Sequence, residues 1–422
     1  MKKNLIIILT LLLTTTFSCR KEEPVDPENI RENKDFYAFM KDWYYWNNTI
    51  SVIDPAKFPS VYEVLEAIRN KPQDRWSYIA DWQEFLAFYQ ESRLIGYGFG
   101  SSWDSGGKLR VAFVHNTTEI FERGVRRGWI IERINGTLVT QGANISQMLG
   151  ANQIGVSNTF TFIKPDNTTA EFTLAKKEVF ANTVLHHQIF EYPGRKIGYL
   201  VLQSFREPTD NELRSVFSEF SAAGVNDLIL DMRYNGGGMV SVAARLASLI
   251  VGPTRAGSPF VKFEYNDNKA IQNNTTLNLT NIENSLGLNR LVTICTRASA
   301  SASELVINGL RPFINVTIVG NNTYGKPMGA NIFNYDNKYA FAPITFKTKN
   351  ANNEGDYFNG LPVNIAAPDD LTRNFGDPQE SSLQAALQFL VAGIAKSTPV
   401  SAPDIRQPWE DMQGLRWESR MH

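Results

Sequence analysis

Leu228-Ile229-Leu230-Asp231-Met232-Arg233 is an apolar run without polar alternation; after Tyr234-Asn235 it meets three glycines, Gly236-Gly237-Gly238, then a helical stretch, Val240–Val251. A strand of that kind is buried on both faces, which requires helices on both sides of a sheet. Leu291–Cys295 repeats the pattern: a buried strand, then the small residues Ala298-Ser299-Ala300-Ser301-Ala302-Ser303, then a helix from about Ala302. With strands at Ile197–Leu202 and Val316–Val319 and an amphipathic helix at Asn211–Ala223, residues 181–396 read as an α/β layered domain.

The chain before this domain changes character twice. Over residues 34–90, Phe36, Phe39, Met40, Trp43, Tyr44 and Trp46 recur at helical spacing, as do Val61, Val64, Leu65 and Ile68. This predicts a small helical N-terminal domain whose aromatics form core rather than a ligand-binding stripe. Residues 91–180 are richer in strand signals: Gly98-Phe99-Gly100, the strand Leu109–Val114, and Asn135-Gly136 as a tight hairpin turn before Thr137. This stretch resembles a PDZ domain. The resemblance implies that Gly98, Phe99 and Gly100 receive a peptide's terminal carboxylate while the peptide adds as a strand.

Met1-Lys2-Lys3 followed by an apolar stretch from Leu5 to Leu13 and then Cys19 reads as a secretory signal, residues 1–18, too short to span a bilayer. The cysteine suggests a bacterial lipoprotein lipidated at Cys19; an ordinary signal peptide is the alternative. Residues 19–33 are charged and read as a tether, and 397–422 as a loose C-terminal tail. Acylation of Cys19 would leave Cys295 a buried free thiol. Lys and Arg number 42 against 43 Asp and Glu, so no basic excess draws the chain to nucleic acid. Two cysteines and four histidines, with neither CxxC nor HExxH, leave metal and cofactor chemistry without support.

The glycine loop 236–238 is an anion site or a flexible turn; no phosphate-loop or dinucleotide fingerprint accompanies it. Ser301 sits where a helix N-terminus would stabilise an oxyanion, yet Ser301 with Glu304 is also a capping pattern. A serine nucleophile needs a base. None of His115, His186, His187 and His422 falls in a suitable turn, whereas Lys326 lies in the glycine turn Asn322-Thr323-Tyr324-Gly325-Lys326-Pro327. To act near neutrality such an amine must favour its neutral form by about 4 kcal/mol, which burial can supply.

Ala300-Ser301-Ala302-Ser303-Glu304, followed by Tyr324-Gly325-Lys326, and the Asp231–Gly238 block together resemble the tail-specific (C-terminal processing) serine proteases. The resemblance covers about residues 35–395 and extends to Tyr44-Tyr45-Trp46-Asn47, Asp74-Arg75-Trp76-Ser77-Tyr78 and Asp377-Pro378-Gln379, landmarks similar to those of a lipoprotein branch. It implies a multidomain α+β chain: a helical N-terminal domain, a PDZ-like β-rich domain and a crotonase-like Ser-Lys protease domain. Ser301 would be nucleophile, Lys326 general base, and the N–H groups of Gly237 and Ala302 the oxyanion hole. The substrate would be a polypeptide with a free C-terminus, cut without cofactor or metal at a membrane-anchored envelope location. Two positions depart from the family pattern: Ala330 stands where a glutamine orients the lysine, and Gly236 replaces a proline. The first supports an alternative, a peptide- or ligand-binding lipoprotein on the same scaffold. A glycan-binding surface lipoprotein is a third reading, resting on the aromatic N-terminal segment alone.

Overall fold

The computed structural model describes residues 26–398 and 406–422; Cys19 and the signal segment lie outside these. The described residues form two compact units, one from residues up to 38 together with 51–68, the other from 39–50 together with 69–422. In the first, helix Val61–Ile68 buries Val61, Val64, Leu65 and Ile68 at the expected spacing. Asn33 Nδ2 donates to the Phe58 carbonyl, tying the two segments of this unit. Residues 27–33, expected in the tether, are the first turns of helix Pro27–Trp43.

The second unit is built on a six-stranded sheet. Its strands run Val184–Tyr192, Arg195–Leu202, Asp227–Asp231, Arg290–Cys295, Asn315–Gly320 and Ile365–Ala366 in that order, antiparallel at the first pair and parallel thereafter. Period-two alternation divides each strand between two cores. Leu228 and Leu230 pack with Leu246, Ile250, Val306 and Leu310 on one side. Ile229 packs with Ile294, Leu383 and Leu387 on the other. Helices cover both faces, as the uninterrupted apolar strands require.

Residues 93–180 form a separate antiparallel sheet, ordered Phe99–Trp103, Leu109–Val114, Ile130–Ile134, Ser157–Ile163 and Thr169–Ala175, around Phe99, Val111, Ile131, Phe160 and Phe162. Asn135 and Gly136 both have positive φ (51° and 75°), and Ile134 pairs with Thr137, the two-residue hairpin expected of Asn-Gly. The aromatic segment near residue 44 packs as core. Met40 and Tyr44 are buried, and the rings of Phe39 and Trp43 lie 4.4 and 4.9 Å from that of Phe333. The Tyr44 hydroxyl donates to Asp74, whose carboxylate also receives the Trp76 and Ser77 amides, so two of the sequence landmarks are one buried knot.

The tail differs most from expectation. Residues 406–422 are ordered, with a helix at Gly414–Ser419, and Glu418 to His422 are buried. Pattern reading took scattered tryptophan and charge for looseness. In the fold Trp409 and Met412 bury against Ala298, and the Arg420 guanidinium lies 4.2 and 3.8 Å from the Trp409 and Trp417 ring centroids.

A buried ion network joins the sheet ends to the 93–180 unit. Arg233 donates to Asp231, Asp369 and Glu380, and Arg127 donates to Asp369 and the Tyr234 hydroxyl. Burial opposes the charge on Asp369 and Glu380, but the two guanidiniums prevail and hold both carboxyls below their ordinary values. Glu380 also caps helix Ser381–Ala392 through the Leu383 amide. Removing one partner of such a cluster leaves an uncompensated buried charge. Glu380→Ala should therefore destabilise by about 3–5 kcal/mol in urea unfolding, with Glu380→Gln intermediate. Because the folded carboxyls titrate below the unfolded value near 4, the network's contribution is present above that pH and is lost as pH falls below it; acid unfolding of Glu380→Ala should be correspondingly shallower.

Candidate active site

Two adjacent parallel strands, Asp227–Asp231 and Arg290–Cys295, deliver their C-terminal turns side by side, which is where an open α/β sheet places ligands. The turns are stitched together. Ala300 N–H and Ser303 Oγ both donate to the Asn235 carbonyl at 3.0 Å, Ser299 Oγ donates to the Met232 carbonyl, and Thr296 Oγ1 to that of Arg233. Small residues permit this closeness. A Cβ on Gly237 would stand 2.7 Å from that of Ser301.

Ser301 heads the buried helix Ala302–Leu310 with φ +57°, a backbone region that costs a non-glycine residue of order 1–3 kcal/mol. Its amide donates to Glu304 Oε2 at 2.9 Å. That fully buried carboxylate also receives Thr323 Oγ1 (2.6 Å), the Gly325 amide (2.6 Å) and the Lys326 amide (2.8 Å). Glu304 therefore fastens the Ser301 turn to the Lys326 turn. The sequence reading took Glu304 for a helix cap only. Its position within an otherwise apolar helix, beside Leu305-Val306-Ile307, is the signal that marks it as more.

The Lys326 turn follows strand Asn315–Gly320, the next neighbour in the sheet. Gly325 has φ +96°, and a Cβ there would meet the Phe358 carbonyl at 2.4 Å. Lys326 is 8% exposed. Burial lowers its pKa below the ordinary lysine value, helped by Arg420 and opposed by Glu418, Asp74 and Glu304. Ser301 and Lys326 line one cavity of about 500 Å³, with Trp76, Met239, Ala330 and Glu418 on its walls. Among the described residues no histidine lines it.

The other candidate residues fall as follows. Ala302 is the first residue of the Ser301 helix. The Gly237 amide is directed at Asn235 Oδ1 (2.9 Å). Gly98 precedes the edge strand Phe99–Trp103; the amides of Tyr97 and Gly98 donate to the His422 carbonyl, and the Phe99 carbonyl accepts from the His422 amide. Gly100 instead leaves space: a Cβ would meet the Phe113 ring at 2.2 Å and the Arg420 carbonyl at 2.8 Å. Near Ala330, where an orienting side chain was missing from sequence, the Lys326 amine lies 5.5 Å from the Trp417 ring centroid. Cys295 is a buried free thiol, pushed up to about 12 by burial. Among the described residues no His/Cys/Asp/Glu group is placed to hold a metal, and no helix is long and apolar enough to cross a membrane.

One carboxylate thus holds Ser301, on its strained helix-heading turn, and the buried Lys326 turn at the ends of neighbouring sheet strands. Residues 196–365 match Peptidase family S41 and residues 31–78 match the Peptidase S41 N-terminal domain; the chain belongs to that family. It is 25% identical over 239 residues to a carboxyl-terminal-processing protease of Synechocystis sp., covering 55% of this chain and 53% of that protein. It is 21% identical over 377 residues to the carboxy-terminal processing protease CtpA of Bacillus subtilis, covering 85% and 74%. The chain thus spans just over half the length of the Synechocystis relative. Two solved structures share the fold. A putative S41 protease from Bacteroides fragilis has a TM-score of 0.68 at 21% identity, covering 85% of this chain and 97% of the other. The photosystem II D1 C-terminal processing protease has 0.51 at 18%, covering 81% and 94%.

If Glu304 is the clamp, removing it strands three amides and a hydroxyl in the interior. Glu304→Ala should lose about 3 kcal/mol or more in denaturant unfolding, whereas Ser301→Ala should change stability by less than about 1 kcal/mol.

Proposed function

We propose that the chain is an envelope serine endopeptidase that recognises polypeptides by an unstructured C-terminus and cleaves them with a Ser301–Lys326 dyad. The observation that carries this reading is the single buried carboxylate of Glu304 that binds the amides of both residues. A capping role alone would not require it to reach the Lys326 turn.

In this mechanism the neutral Lys326 amine accepts the Ser301 Oγ proton as that oxygen attacks the substrate carbonyl carbon. The tetrahedral oxyanion is received by backbone N–H groups at Ala302 and in the 236–238 loop. Its collapse breaks the C–N bond, and the leaving amine takes the proton from the Lys326 ammonium. Water then hydrolyses the acyl-serine, again deprotonated by Lys326. Use of Gly237 requires its amide to leave Asn235 Oδ1 when substrate binds. The PDZ-like sheet would present its Phe99–Trp103 edge to the substrate's C-terminal strand. Attachment through a lipidated Cys19 belongs to the same proposal and rests on the sequence alone.

The second reading, a binding protein without turnover, is favoured by Ala330, which offers no polar group to Lys326. A fluorophosphonate separates the two: labelling of wild type but not of Ser301→Ala supports the enzyme. Hydrolysis of a denatured protein should fall at least about 10³-fold in Ser301→Ala and in Lys326→Ala; equal activity in all three would remove the assignment. The pH dependence has a definite sign. Activity requires the neutral amine, and the lowered pKa of Lys326 moves the rising limb below that of a free lysine near 10.4, so kcat/KM should climb with pH to a plateau reached before that value.

A further inference from the structure

The edge strand Phe99–Trp103 is already paired, and the Ser301–Lys326 cavity already walled, by the same stretch of this chain. His422 N–H donates to the Phe99 carbonyl (2.9 Å), and the His422 carbonyl receives the amides of Tyr97 (2.8 Å) and Gly98 (3.3 Å). The His422 ring nitrogen Nε2 lies 2.7 Å from Ser101 Oγ. Further along the same edge, Gln407 Oε1 accepts from Ser102 Oγ and the Trp103 amide. This is strand-edge pairing of the kind a bound peptide makes.

From His422 the segment runs back to the catalytic cleft. Gln203 Nε2 donates to the Ser419 carbonyl (2.6 Å), and Arg420 donates to that of Ala298, three residues before Ser301. Glu418 lines the cavity with Ser301 and Lys326, its carboxylate receiving the Tyr89 hydroxyl, and the Trp417 ring faces the lysine amine. The five residues from Glu418 to His422 are each 8% exposed or less, more typical of core than of a tail.

The departure at Gly236 acquires a physical reason here. A Cβ at that position would stand 2.6 Å from the Glu418 carbonyl oxygen and 3.1 Å from the Glu418 Cα. Its φ lies outside the left-handed region, so conformation does not demand glycine; room for the segment does. The backbone at the cleft is also not presented for attack. Residues 414–419 are helical, Arg420 turns through φ +54°, and the Arg416 and Trp417 carbonyls receive the Arg420 amide and guanidinium. A peptidase needs an extended scissile segment whose carbonyl is free to meet the nucleophile.

We propose that residues 406–422 are an internal competitor of substrate: they occupy the peptide edge of the PDZ-like unit and cover the dyad uncut, so a polypeptide C-terminus must displace them before it is cleaved. This rests on the peptidase reading above and adds to it the regulation of the same site. An intramolecular competitor lowers apparent affinity by the fraction of molecules left open, so its signature is in KM rather than kcat.

The test uses the full chain and two variants that loosen the segment by different means. Arg420→Glu removes the cation between the two tryptophans, and Gln407→Ala removes the acceptor that holds the segment to Ser102 and the Trp103 amide. Against a tailed peptide, each should raise kcat/KM about tenfold, chiefly through KM, and a synthetic peptide of the Gly414–His422 sequence should reverse the rise. Hydrogen exchange supplies a readout independent of turnover: the amides of Tyr97, Gly98 and His422 should be protected in wild type and released in Arg420→Glu. Release without any gain in kcat/KM would overturn the proposal, as would wild-type amides exchanging at free-peptide rates, or mass loss showing cleavage within 417–421. Should no variant hydrolyse peptide or take a fluorophosphonate label, the peptidase reading and with it the competitor role fail, while protected amides would still show that the segment is bound.

Discussion

The carboxylate of Glu304 is the constraint on which the site depends. It is buried, and burial raises its pKa, but four donors from two separate stretches of chain satisfy it: Ser301 on one, and Thr323, Gly325 and Lys326 on the other. A buried carboxylate without such partners would be too costly to keep. With them, it converts two loops at neighbouring strand ends into one rigid body. The strained backbone of Ser301 and the desolvation of Lys326 both persist because these bonds hold the turns against relaxation.

Around that body the fold arranges graded polar contacts. The Asn235 carbonyl joins the glycine loop to the Ser301 turn while its side chain accepts from Gly237 within that loop, and the Arg233 cluster ties the same loop, through Asp369 and Arg127, to the separate sheet of residues 93–180. Tyr234 donates to Asp369 and accepts from Arg127, so the residue beside the glycine loop is also part of the interdomain contact. A movement of one sheet against the other would therefore act on the loop that borders Ser301. The bound tail spans the same distance by a second route, from the Phe99 edge to the Lys326 cavity.

Much of this was legible in residue order. The two apolar strands with their small-residue turns predicted the sheet and the place of Ser301, and Asn135-Gly136 predicted a hairpin that both positive φ values match. Tyr44 and Asp74 could be picked out as landmarks, though not as partners. The tail was misread because its stability comes from contacts far away in sequence: the indoles of Trp409 and Trp417 hold Arg420, and the edge of residues 97–103 holds His422. Neither produces a periodic pattern, and a short helix such as Gly414–Ser419 has little intrinsic signal.

Local sequence alone determined the layered class, the turn chemistry and the place of Ser301 at a helix start, because strand burial, hairpin geometry and helix starts are set by neighbours a few residues apart. Tertiary structure decided what those groups experience. Desolvation of Lys326, the four-donor clamp on Glu304 and the pairing of the Phe99–Trp103 edge with the chain's own residues are sums over atoms brought together from distant positions, and no short-range pattern encodes such a sum.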